Sequence, residues 1–139
     1  MQIKTVKMQL TKKILCSLLA FGTVVPALHA QTKNVNKAED LLKSGKLDEA
    51  REMISEVATN EKTSDKAKTW YLKGDIYHGL SHKDSATALG TLYRDTAFQA
   101  YKQCLKLDPK FPSMLLTNYK PLSDIYVSYW RDGAAAFNS

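Results

Sequence analysis

Apolar and small residues recur at helical spacing from Lys33 to Val57: Ala38, Leu41 and Leu42, then Leu47, Ala50, Ile54 and Val57. Ser44-Gly45-Lys46 interrupts the pattern. Glycine there supplies the left-handed backbone that ends a helix, and Asp48 and Glu49 put negative charge in the first turn of the next one. The stretch therefore predicts two short antiparallel helices joined by a tight turn.

A polar segment, Thr59 to Asp65, follows, with Ser64 or Asp65 as the expected N-cap of a helix over about 66–80. That helix carries Trp70, Gly74 and Tyr77 on one face. Polar and small residues from Ser81 to Thr91, Gly90 among them, predict a connection. A helix over about 93–107, marked by Ala97, Tyr101 and Cys104, then stops at Asp108-Pro109, where proline cannot continue the hydrogen bonding. A last helical pattern runs from Pro121 to Asn138. The predicted class is all-α, built as antiparallel helix-turn-helix repeats.

Trp70, Gly74 and Tyr77, followed by Ala97, Tyr101, Cys104 and Pro109, resemble the tetratricopeptide repeat, whose pattern is W-x2-L-G-x2-Y, then A-x3-F, then P over about 34 residues. Lys73 stands where the family has leucine, and about 11 further residues separate Gly74 from Ala97. An earlier unit keeps the frame with Ala38, Leu41, Ala50, Ile54 and Val57. Tyr129, Gly133 and Ala136 stand in the last helix as Trp70, Gly74 and Tyr77 do in the second unit. The resemblance divides residues 31–139 into units of about 31–64 and 67–111 and a partial unit, 121–139. It implies an α-solenoid in which Gly74 and Ala97 let two helices approach while Trp70, Tyr77 and Tyr101 fill the space around them. Trp70 is expected to be buried, with truncation to alanine costing roughly 3–5 kcal/mol. Trp130, Ala134 and Phe137 are expected to lack the second helix that a repeat would place over them.

The N-terminus adds a different element. Lys4, Lys7, Lys12 and Lys13, without an acid, precede the apolar stretch Ile14 to Val25 and then Pro26-Ala27-Leu28-His29-Ala30. This order predicts a secretory signal peptide, residues 1–30, cut after Ala30 or Ala27, and hence a periplasmic or secreted mature chain. The apolar run is shorter than the roughly 20 residues a spanning helix needs. Those four lysines also explain most of the formal charge of +6, leaving about +2 on the remainder, too little to serve as a footprint for nucleic acid. With Cys16 in the signal peptide, Cys104 stands alone and reads as a small buried hydrophobe.

Candidate chemistry is sparse. His78 and His82 are four apart, with Asp75 one turn before, a spacing that offers ligands to a divalent metal. His78-Gly79-Leu80-Ser81-His82 lacks the glutamate of a zinc-protease helix, and Gly79 is expected to fray the helix end, so the pair reads as solvated and no metal or cofactor is assigned. Ser81, His82 and Asp84 are loop neighbours that cannot assemble a catalytic triad. No enzymatic activity is expected.

The resemblance implies a groove lined by first helices that receives a peptide or helix of a partner protein. Carried over by position, its contacts are Glu39 and Leu42 in the first unit and Lys68, Tyr71, Asp75 and His78 in the second. Tyr71 is either the anchor of that groove or a residue packed on the next helix. The function implied is an interaction scaffold or assembly factor of the bacterial cell envelope. The alternative is the non-catalytic N-terminal section of a longer envelope enzyme or transport component. The uncapped last helix also leaves a face for self-association.

Overall fold

The computed structural model describes residues 25–138, and side chains from Lys33 onward. The described residues form helices and turns without a strand: α1 (Val25–Lys43), α2 (Leu47–Thr59), α3 (Ala67–Lys83), α4 (Ala88–Leu107), α5 (Pro112–Leu116) and α6 (Lys120–Phe137). The expected signal peptide lies outside the described residues up to position 24, and its last positions run into α1. Helix is present from the first described residue, Val25, well before Lys33. None of the described helices is long and apolar enough to cross a membrane.

Each turn has a local cause. Gly45, at φ +72°, closes α1: its N–H donates to the Leu42 carbonyl at 3.0 Å and that of Lys46 to Leu41 at 2.9 Å. This pair of bonds is the Schellman arrangement, which needs a left-handed residue at that position. Asn118 and Tyr119 repeat it without glycine at the end of α5, at φ 48° and 55°, with Asn118 donating to Leu115 at 3.0 Å and Tyr119 to Met114 at 2.9 Å. The short helix α5 was not evident in the sequence pattern. It is started by Pro112 in its first turn and anchored by the fully buried Met114.

Two boundaries differ from the expectation. The N-cap of α3 is Lys66, without a side-chain capping bond, because Ser64 and Asp65 belong to a turn that Thr63 Oγ1 ties back to the Val57 carbonyl at 2.5 Å. The connection expected over Ser81–Thr91 is only residues 84–87. Thr87 caps α4 by accepting the Gly90 N–H at 3.1 Å, and Gly90 is buried in the first turn, against the Asp84 backbone. The residues that lengthen this unit thus extend two helices rather than swell a loop.

The most extensive packing joins α3 to α4, followed by α1 to α2 and α2 to α3. One apolar cluster gathers Val35, Ala38, Ala50, Ile54, Val57, Leu72, Ile76, Leu80 and Tyr93. A second gathers Ala97, Tyr101, Met114 and Ile125, and Tyr77 packs against both. Cys104 is fully buried, as expected, and burial pushes its thiol up to about 11, which favours the protonated form at neutral pH. Pro109 follows α4 directly beyond Asp108.

Trp70 is partly buried, donating Nε1–H to the Ser64 carbonyl at 2.7 Å, with the Lys73 ammonium 5.2 Å from the ring centroid. The fully buried aromatic is Tyr101. One turn further along α3, Gly74 admits the Tyr101 ring.

Candidate functional site

The six residues expected to line a groove fall into two groups. At the start of α3, Lys68 donates to Glu39 of α1 at 2.7 Å, and Lys43 reaches the same carboxylate at 2.7 Å. Hydrogen bonds from Lys43 and then Lys68 hold the Glu39 carboxyl down at about 2. Leu42 lies beside them, half-buried against the first apolar cluster.

Further along α3, Tyr71, Asp75 and His78 line up on one face, as residues three and four apart must. Their surroundings are internal as well as external. The Tyr71 ring lies 5.1 Å from Phe111 and 6.0 Å from Tyr101, so it packs on the following segment of chain. Asp75 accepts the Tyr101 hydroxyl at 2.6 Å. Burial raises its pKa, against the hydrogen bonds from Tyr101 and Tyr71 that favour the carboxylate. Burial also pushes Tyr71 up to about 12.

His78 opens onto a cleft of about 170 Å³ between the end of α3, the start of α4 and the middle of α6, shared with His82, Arg94, Asp124, Arg131 and Asp132. His78 and His82 bring their Nε2 atoms to 3.1 Å. Burial and then the neighbouring His82 lower the pKa of His78, which favours its neutral form. Gly79 does not fray this end: α3 continues to Lys83, and Leu47 covers Gly79, its Cδ2 standing 3.1 Å from where a β-carbon would be.

The surface that sequence reasoning saw only in part is α6. Its inner side meets α4. Ile125 is buried, Arg94 pairs with Asp132 at 2.5 Å, the Arg94 guanidinium lies 4.7 Å from the Tyr129 ring centroid, and the Tyr129 hydroxyl donates to Asp95. A neighbouring face carries Tyr126, Trp130 and Phe137, which are 72%, 71% and 90% exposed. Spacings of four and seven residues set all three in one stripe, with Gly133 between them facing open space. Of the three residues expected to lack a covering helix, Trp130 and Phe137 are exposed and Ala134 is half-buried. Tyr126 was missed, although its spacing from Trp130 is the signal that finds it.

Comparison with family models, with curated proteins and with solved structures returned no match.

Proposed function

We propose that this chain is a non-catalytic helical scaffold of the bacterial cell envelope, exported by residues 1–30, that holds a partner protein through a peptide or helix. The tetratricopeptide-like spacing of Trp70, Gly74, Tyr77, Ala97 and Tyr101 supports a repeat architecture for it. One observation carries the reading: three large aromatic side chains in a single stripe of α6 face solvent, where isolated residues of that size would be ordinary but a contiguous row is a docking surface. Such side chains bring much contact area at small entropic cost, and Gly133 among them lets another backbone come close.

In this reading the α6 stripe is the principal anchor, and the Glu39–Lys68 end of α3 supplies polar contacts. Tyr71 contributes little to a partner, because Phe111 and Tyr101 already occupy its ring. The test is a triple variant, Tyr126→Ser, Trp130→Ser and Phe137→Ser. The helical signal and melting temperature stay near those of the parent, while the crosslinked complex formed in intact cells disappears. Retention of that complex by a folded triple variant would remove the stripe from the binding surface.

The second reading, the N-terminal section of a longer envelope enzyme or transport component, draws on the same stripe, which a following helix of the same chain would cover. Sequencing the gene downstream of Ser139 separates the two.

A further inference from the structure

We infer that His78 and His82 form a binding site for a late first-row divalent metal ion, zinc(II) or copper(II), at the mouth of the cleft between α3 and α6. The argument begins with geometry. Two imidazole nitrogens bound to one ion at about 2.05 Å each and standing 3.1 Å apart subtend about 98° at the metal, between the octahedral and tetrahedral angles. That separation is now bridged by a hydrogen bond between the two rings, and an ion that displaces the shared proton would find both nitrogens at a compatible distance.

The backbone beneath it is fixed. Both histidines lie within α3, and Leu47 packs over Gly79 between them, so this turn is held from below. A rigid helical platform is what keeps two ligands at a set distance. Access is open, since His82 is exposed and His78 half-buried.

Asp124 faces the cleft from α6 with its carboxylate held by Lys120 at 2.7 Å, and Arg94 and Arg131 line the same cleft, so the imidazole donors and not local charge would hold the ion. Asp75, one turn before His78, is not available as a ligand, because it is engaged by Tyr101. Among the described residues no three His, Cys, Asp or Glu side chains already converge on one point, so water completes the coordination. Imidazole donors with open positions suit zinc and copper better than magnesium or calcium, which prefer oxygen.

The inference is independent of the protein-binding reading. Its test is calorimetric titration of the folded chain with zinc chloride, alongside His82→Ala and His78→Asn. One zinc per chain is expected for the parent, with a higher melting temperature in its presence, and both effects are lost in each variant. His82→Ala removes an exposed side chain and should fold normally, so its circular dichroism serves as the control. Absence of saturable binding by the parent, or undiminished binding by a folded His82→Ala protein, would overturn the assignment.

Discussion

The Tyr101 ring sits so close to Gly74 that a β-carbon there would lie 2.5 Å from Cδ1 and 2.8 Å from Cζ. The ring has nowhere to go, because it is fully buried and its hydroxyl is bound to Asp75. Gly74→Ala pits about 1 kcal/mol of gained helix propensity against an overpacking cost of about 1–3 kcal/mol. Overpacking wins. Urea denaturation should show a net loss of up to about 2 kcal/mol, and a stabilised variant would place these helices further apart than described.

The same substitution on α6 should have the opposite sign. Gly133 has nothing near its missing β-carbon, so Gly133→Ala is expected to stabilise the isolated protein by about 0.5–1 kcal/mol through helix propensity alone. Thermal melting of the purified chain checks this. Destabilisation would mean that another helix already lies on that face.

Tyr101→Phe tests the buried carboxylate. It strips Asp75 of its 2.6 Å hydrogen bond and should cost about 2 kcal/mol at a pH where the carboxyl is ionised. Burial raises the folded pKa of Asp75, so the carboxylate form is the unfavourable one. The stability linked to its protonation is complete below the unfolded value of 3.8 and is lost as pH rises through the folded value. The cost of Tyr101→Phe should therefore shrink at acidic pH, where Asp75 is neutral, and paired denaturation curves at the two pH values measure it. An unchanged cost would show that Asp75 is not the group responsible.

Glu39 has the reverse sign. Its folded pKa of about 2 lies below the ordinary 4.5, so its pairing with Lys43 and Lys68 stabilises the fold above 4.5 and is lost as pH falls toward 2. The two ammonium groups are solvent-exposed, which keeps the effect small. Glu39→Gln should melt slightly earlier than the parent at neutral pH, and the gap should close on acidification.

The helices were legible in the sequence where local signals agree with packing. The α1–α2 turn is announced by Gly45, and the end of α4 by Asp108-Pro109, because these residue types act on the backbone itself. The end of α5 carried no such sign: Asn118 and Tyr119 take left-handed conformations, which Tyr119 tolerates while packed in the second cluster. Gly90 looked like a loop residue and is a point of close approach, and Gly79 looked like a breaker until Leu47 covered it.

The site shows the same division. Spacing alone sets Tyr71, Asp75 and His78 on one face and Trp130 in line with Phe137. Only tertiary structure puts Phe111 against Tyr71, Tyr101 against Asp75 and Glu39 between two lysines. The resemblance gives Trp70 a packing role, and it is partly buried, with its indole N–H on the Ser64 carbonyl, a bond that spacing alone does not reveal.

The stripe on α6 is tested most directly by photocrosslinking in intact cells from a benzophenone side chain at position 130, with position 92 of α4, also exposed, as the control. Binding through the stripe predicts a discrete adduct with one other protein from position 130 and none from position 92. No adduct from 130, or equal labelling from both positions, would contradict it.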